Sequence, residues 1–153
     1  MNESIEERIE KDLKTALLSG DELRVTTLRG LKSTLLNAKV ATGKRSTGLS
    51  DDEVTSLLVK EAKKCRESAN LYRQGGDNNR AERELAEKNV IETYLPAQLS
   101  EEDIAKIVDE ILKDNDENGN AAMGKIIGEV KARTKGAAEG ALIAKVVKQT
   151  MGL

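Results

Sequence analysis

Histidine, phenylalanine and tryptophan are absent from this chain of 153 residues, and its aromatic side chains are Tyr72 and Tyr94. Without histidine, the chain cannot form a Ser-His-Asp or Cys-His catalytic arrangement, an imidazole proton relay or a zinc site with a histidine ligand. A core with so few aromatics must be built from Leu, Ile, Val and Ala. Because strands enrich β-branched and aromatic residues together, such a core favours helices. The composition therefore predicts an all-α protein.

Cysteine and long apolar runs are equally scarce. Cys65 is the single cysteine and cannot form a disulfide within the chain, which suits a reducing compartment. No apolar run approaches the roughly 20 residues that a membrane-spanning helix needs. The opening residues, MNESIEERIEKDL, are acidic and amphipathic, unlike a secretion signal or a transit peptide. We therefore expect a cytoplasmic protein without membrane contacts, in which Cys65 is a structural thiol on the apolar face of a helix.

Helical periodicity divides the chain at its only proline. Apolar residues recur three to four positions apart along most of the sequence, which predicts four helices before Pro96 and three after it. The strings Ser50-Asp-Asp-Glu53 and Ser100-Glu-Glu-Asp103 read as capping boxes at helix starts. Proline disfavours helical geometry at the residue before it. We therefore predict a larger N-terminal helical domain over residues 1–95 and a three-helix C-terminal domain over residues 96–153.

Residues 114–125, DNDENGNAAMGK, imitate two ligand-binding loops without completing either. Lys125 stands at the twelfth position of the calcium-loop pattern, where a bidentate glutamate is needed. Ile126 follows the glycine and lysine of the phosphate-loop pattern, where Ser or Thr should bind magnesium. The sequence therefore predicts an acidic turn here, with no metal and no cofactor. Gly124 and Gly128 are expected to let a neighbouring helix pack closely against α-helical backbone.

The carboxylates mark no catalytic pair. Most of them are expected to be solvated on helix faces with lysine partners one turn away, as in the predicted pair of Glu84 with Lys88. No catalytic residue is therefore predicted.

Basic residues are concentrated in two stretches, although the net charge is −2. Residues 24–45 contain six basic side chains and no acidic one, and residues 123–153 have a net charge of +4. Clusters of this kind can follow phosphates, or can be a solvated surface that keeps the protein soluble. The scarcity of aromatics argues against stacking on single-stranded bases, so any RNA contact should read backbone and shape. The RNA-binding candidates are Lys125, Lys131, Arg133, Lys135, Arg29 and Lys32.

Four segments together resemble the YqeY-like proteins, in order and over nearly the whole chain. They are TLRGLKSTLLNAK (27–39), KKCRESANLYRQGG (63–76), YLPAQLSEEDI (94–104) and MGKIIGEVKARTKGAAEGALIAKVVK (123–148). The last segment is also similar to the C-terminal tail of the GatB protein of the tRNA-dependent amidotransferase. The resemblance implies an all-helical fold with a larger N-terminal and a smaller C-terminal domain.

The resemblance also implies a function. In the amidotransferase, this tail is an accessory module that engages the body of the tRNA, while ammonia production and amide transfer from glutamine occur elsewhere. A carbon–nitrogen ligase label would therefore be inherited, because no serine–lysine signature for glutamine hydrolysis is present here. By position, the family's turn residues fall on Gly124, Gly128, Gly136 and Gly140. Relatives carry a basic residue where this chain has Ala137, and Glu139 is expected to retain the role of capping acid.

Two hypotheses follow from these observations. The first is a non-catalytic accessory module that contacts the tRNA backbone, with no DNA binding expected. The alternative is a helical module without RNA contact that docks on an amidotransferase or another cytoplasmic protein. The acidic helix predicted at residues 100–117 beside a basic one motivates this alternative, because such polarity can orient a partner.

Overall fold

The structure is a computed structural model that describes residues 3–114 and 120–152, with side chains for all of these except Asn120 and Ala121. The described residues form seven helices and no strand, which confirms the prediction of an all-α chain. None of these helices has the length and apolar character needed to cross a bilayer. The helices are α1 (Ile5–Ser19), α2 (Glu22–Ala41), α3 (Asp51–Gln74), α4 (Asn78–Glu92), α5 (Glu101–Asp114), α6 (Asn120–Thr134) and α7 (Gly140–Met151).

The chain divides into two compact units between Leu95 and Pro96. The N-terminal unit contains α1–α4, and the C-terminal unit contains α5–α7. Several helix starts are capped as the sequence predicts. Ser50 and Glu53 form a reciprocal capping box at the start of α3, and the Ser100 hydroxyl accepts a hydrogen bond from the backbone N–H of Asp103 at 3.1 Å. Each such cap contributes about 1 kcal/mol to helix stability.

Aliphatic side chains build the core of the N-terminal unit. In α2, Leu28, Leu31 and Leu35 are buried on one face, as the spacing predicts. Burying a side chain of this size stabilises the fold by about 1.5–3 kcal/mol relative to leaving it exposed. The buried aliphatic residues of this core are Ile9, Leu13, Leu28, Leu31, Leu35, Val54, Leu58, Ala62 and Ile91.

Tyr94 closes this core at the end of α4. Its side chain is 4% exposed, and its hydroxyl donates to Asp12 Oδ2 on α1 at 2.5 Å. The guanidinium of Arg8 lies 5.2 Å from the centre of the ring. Burial, together with the hydrogen bond to Asp12, raises the pKa of the Tyr94 hydroxyl, so it remains a donor at all ordinary pH values. This contact joins the last residues of the N-terminal unit to its first helix.

The C-terminal unit packs α5, α6 and α7 around a second aliphatic core. Ile104, Val108 and Ile111 on α5 face Val130 of α6 and Ile143 of α7. The extended segment before α5 is tied to the turn between α6 and α7, because the Leu99 N–H donates to the Ala137 carbonyl at 2.8 Å.

We predict that Tyr94→Phe lowers the free energy of unfolding of the N-terminal unit by about 1–3 kcal/mol, since it removes a hydrogen bond to a half-buried carboxylate. Urea denaturation followed by circular dichroism measures the change. Tyr72→Phe is the matched control, because the Tyr72 ring also lies beneath a guanidinium, that of Arg80, at 5.8 Å. Equal effects of the two substitutions would contradict an anchoring role for the Tyr94 hydroxyl.

Candidate nucleic-acid interface

Two of the four basic residues of α2 are neutralised by acids of α1. Lys32 Nζ lies 2.9 Å from Glu10 Oε1, and Lys39 Nζ lies 2.7 Å from Glu6 Oε2, both acids being on α1. The hydrogen bond from Lys32 lowers the pKa of the Glu10 carboxyl. Part of the stretch that is free of acids in sequence is therefore paired in three dimensions, and Lys32 is not a free phosphate-binding charge.

The loop after α2 follows the same pattern. Lys44 donates to Glu53 Oε2 at 2.7 Å. This bond and the backbone N–H of Ser50 lower the pKa of the Glu53 carboxyl. Arg29, by contrast, is exposed on α2 and forms no ion pair with any residue that the structure describes.

Two basic residues of the C-terminal unit also have acidic partners. Arg133 Nη1 lies 3.6 Å from Glu110 Oε2, and Lys145 Nζ lies 2.8 Å from Glu101 Oε1. Both acids are on α5. The acidic helix that motivated the protein-docking alternative is therefore partly neutralised by α6 and α7 of its own unit. Lys125 is exposed on α6.

Lys131 and Lys135 remain as exposed cations near the end of α6. Neither forms an ion pair within residues 3–114 and 120–152. Lys131 lies across the first turn of α7: a Cβ added at Gly140 would be 3.2 Å from Lys131 Cε and 3.4 Å from its Nζ. Gly140 therefore provides the space in which the Lys131 side chain runs.

Lys135 begins a tight turn between α6 and α7. Its φ is 42° and that of Gly136 is 88°, and the Ala137 N–H donates to the Thr134 carbonyl at 2.9 Å. Two consecutive positive φ values closed by this hydrogen bond are typical of a type I′ turn. Glycine adopts the second position without penalty, whereas a lysine in left-handed geometry costs roughly 1–2 kcal/mol.

The residues after this turn differ in part from expectation. Ala137, at the position where relatives carry a basic side chain, is only 8% exposed. Glu139 is the N-cap residue of α7, but its side chain makes no capping hydrogen bond, so the prediction of a capping acid is wrong. The backbone at Glu139 is extended, with φ −73° and ψ 141°.

The prediction that Gly124 and Gly128 admit a neighbouring helix is also wrong. Both residues are exposed on α6, and a Cβ added at either would meet no atom within 4 Å. The α6 backbone is therefore open along this face. Residues 115–119, which include most of the acidic turn predicted between α5 and α6, lie outside the described part of the chain.

A cluster that the sequence did not predict joins α3 and α4. The ligand atoms of Cys65, Glu84 and Glu87 lie within 4.8 Å of one another. Burial first, and then the Glu84 and Glu87 carboxylates, raise the pKa of the Cys65 thiol to about 12. Burial, followed by the charge of Glu87, also raises the pKa of Glu84. A protonated thiol is neither a good nucleophile nor a good metal ligand, so we assign a structural role to Cys65.

Glu84 does not pair with Lys88 as predicted, because it faces this thiol. Lys88 instead lies 2.6 Å from Glu92 Oε1, one turn further along α4. The i,i+4 rule identified the kind of pair but not the partner.

Comparison with known proteins gives one family and several relatives. The model of the family described as "Yqey-like protein" matches residues 6–151. A Pyrenophora tritici-repentis protein named "Altered inheritance of mitochondria protein 41, mitochondrial" is 27% identical over 149 residues, 95% of this chain and 80% of the relative. Proteins of the same name are 33% identical in Lachancea thermotolerans, over 57% of this chain and 46% of the relative, and 26% identical in Vanderwaltozyma polyspora, over 82% and 69%.

These relatives overturn one prediction. All three are named as mitochondrial proteins, so the prediction of a cytoplasmic location is wrong on this comparison. That prediction depended on the single thiol, on the lack of a long apolar run and on an opening segment unlike a targeting signal. A free thiol does not distinguish one reducing compartment from another.

We predict that Cys65 in the native protein reacts with iodoacetamide at pH 8 about a hundredfold or more slowly than in the urea-unfolded chain, because so little thiolate is present. Mass spectrometry of timed, quenched samples measures both rates. Glu84→Gln with Glu87→Gln should accelerate the native reaction by removing two negative charges. Equal rates in the folded and unfolded chains would show that the thiol is not protected.

We predict that Gly124→Ala and Gly128→Ala each raise the free energy of unfolding of the C-terminal unit by about 0.5–1 kcal/mol, since alanine favours helix and meets no neighbour here. Thermal and urea denaturation measure this gain. Gly140→Ala is the control and should gain less, because its Cβ would lie 3.2 Å from Lys131 Cε and that side chain would have to move slightly. Destabilisation by Gly124→Ala would mean that another part of the protein packs on this face.

Proposed function

Because this chain belongs to the YqeY-like family, we propose that it is a non-catalytic accessory module that contacts the tRNA backbone through its C-terminal unit. The observation that carries the proposal is the pair of exposed, unpaired cations, Lys131 and Lys135, beside the turn between α6 and α7 within the described residues. A phosphate gains the full attraction of such cations, whereas a lysine already in an ion pair must first lose its partner.

The form of the surface supports contact with a backbone rather than with bases. The C-terminal unit has no aromatic residue in its sequence, so stacking on bases has no platform there. The open α6 face at Gly124 and Gly128 allows a sugar–phosphate chain to come close to the helix. Contacts of this kind fix position and orientation and read little sequence. We assign Lys125 and Arg133 to the edge of the same surface, and Arg29 to a separate, weaker contribution from the N-terminal unit.

We further propose that the module assists a tRNA-dependent amidotransferase system, in which glutamine is the amide donor. This part depends on the resemblance of residues 123–148 to the tail of GatB. The module would hold or orient tRNA while the amide transfer occurs on another protein, so we assign it no catalytic residue and no cofactor.

A second candidate function is docking on a protein partner. Leu36 and Val40, one turn apart on α2, are 46% and 60% exposed. Exposed apolar side chains beside Arg29 suit an acidic, partly apolar partner surface. Leu36→Ser with Val40→Ser would abolish capture of such a partner while leaving tRNA binding unchanged. If this variant also lost tRNA binding, α2 would contribute to the tRNA contact, and the proposal that it docks a protein partner would be weakened.

We predict that the purified protein binds bulk tRNA with an affinity whose logarithm falls linearly with the logarithm of salt concentration. Lys131→Glu with Lys135→Glu should weaken binding by roughly tenfold or more and reduce the magnitude of the salt slope by about two, since two phosphate contacts are lost. Filter binding or fluorescence anisotropy over a salt series measures both quantities.

The control for this experiment is Lys14→Glu with Lys60→Glu, which makes the same change of net charge on exposed positions of the N-terminal unit. If both double variants weaken binding equally, the effect is one of overall charge, and the assignment to the α6–α7 end is wrong. If the wild-type protein does not bind tRNA at low salt, the proposed function is wrong.

A further inference from the structure

The side chain of Gln98 forms a hydrogen bond with the turn that contains Lys135. Its Nε2 donates to the carbonyl of Gly136 and to the carbonyl of Pro96, both at 3.1 Å. The Leu99 N–H donates to the next carbonyl of the turn, that of Ala137, at 2.8 Å. Two successive carbonyls of the turn are therefore held by two successive residues of the segment before α5.

The turn needs such support because Lys135 is in an unfavourable conformation. The first central position of a type I′ turn prefers Asn, Asp or Gly, which tolerate a positive φ. Lysine at this position, with a φ of 42°, is disfavoured relative to those residues. Nothing in the local packing explains the choice, since the Lys135 side chain is exposed. A positive charge at this point of the backbone is the property that Asn or Gly would not supply.

We propose that Gln98 is a positioning residue, which holds the 134–137 turn in the conformation that presents the Lys135 ammonium to a phosphate of RNA. This inference rests on the proposed function, but it adds a residue outside the basic set and a mechanism for its effect. Gln98 contacts no phosphate itself. It acts through the backbone carbonyl of Gly136, one residue after the lysine.

Side-chain chemistry makes the amide specific for this task. Glutamine has two N–H donors on one nitrogen, and the two carbonyls accept one each. A glutamate of the same shape has no donor when ionised and would place a negative oxygen against two carbonyl oxygens. The two hydrogen bonds of Gln98 would be lost, and an electrostatic repulsion would replace them. Lys135 would then adopt other backbone conformations more often.

Binding of bulk tRNA to the full chain tests the proposal, with Gln98→Glu compared with Gln149→Glu. The control makes the same change of charge on an exposed residue of α7. Gln98→Glu should weaken binding about fivefold more than the control, the loss expected from one hydrogen bond. Gln98→Ala, which removes both donors without adding charge, should show a loss of similar size. If Gln98→Glu and Gln149→Glu bind equally, the proposal is overturned.

A double-variant cycle separates positioning from a general structural effect. In a Lys135→Gly background the ammonium is absent and the strain is relieved, so adding Gln98→Glu should weaken binding no more than adding Gln149→Glu does. A full further loss in that background would overturn the proposal, because Gln98 would then act independently of Lys135.

A measurement without RNA keeps the two proposals distinguishable. The backbone amide–Hα coupling of Lys135, measured by NMR, reports its φ in the free protein. A coupling that changes in Gln98→Glu but not in Gln149→Glu supports the positioning role, and an unchanged coupling overturns it. Failure of the wild-type chain to bind tRNA would overturn the phosphate contact alone, and the NMR coupling would then decide whether Gln98 holds the turn.

Discussion

Burial of aliphatic stripes is the interaction on which this fold depends. With no phenylalanine or tryptophan, the two cores must be assembled from small and medium-sized side chains, and helices bring these together at intervals of three to four residues. Each unit has its own core, one closed by Tyr94 and the other entirely aliphatic. The charged surface is arranged around these cores, and most of the ion pairs described above join helices whose positions the aliphatic packing sets.

Ion pairs on this molecule form both along single helices, as in Lys88–Glu92 of α4, and between helices. Acids of α1 meet lysines of α2, and acids of α5 meet bases of α6 and α7. The exposed pairs among these stabilise a fold by at most about 1 kcal/mol each, whereas the Lys39–Glu6 pair is partly buried, with both side chains 22% exposed. Their larger effect is on what remains available to a ligand. Pairing removes Lys32 from the set of free cations, whereas Lys131 and Lys135 at the end of α6 are two neighbouring cations that are not neutralised within the described chain.

The all-α class, the helices and several of their caps could be predicted from sequence because they depend on short-range spacing. The apolar stripe of α2 and the capping box at Ser50 are local patterns of this kind. Partners distant in sequence could not be predicted. The Tyr94–Asp12 bond spans 82 positions, and the acids that neutralise α2 come from another helix. The positive φ of Lys135 could likewise not be predicted, since Lys-Gly is a weaker turn signal than Asn-Gly.

Because both tyrosines lie in one part of the chain, its near-ultraviolet absorbance and fluorescence report on that part alone. Both rings belong to the N-terminal unit, and one of them is buried against the carboxylate of Asp12. Near-ultraviolet absorbance and intrinsic fluorescence therefore monitor only that unit, while far-ultraviolet circular dichroism sums the helices of both. If the C-terminal unit melts separately, helicity is lost while the tyrosine signal stays constant, so a comparison of the two signals shows whether the chain unfolds in one step or two.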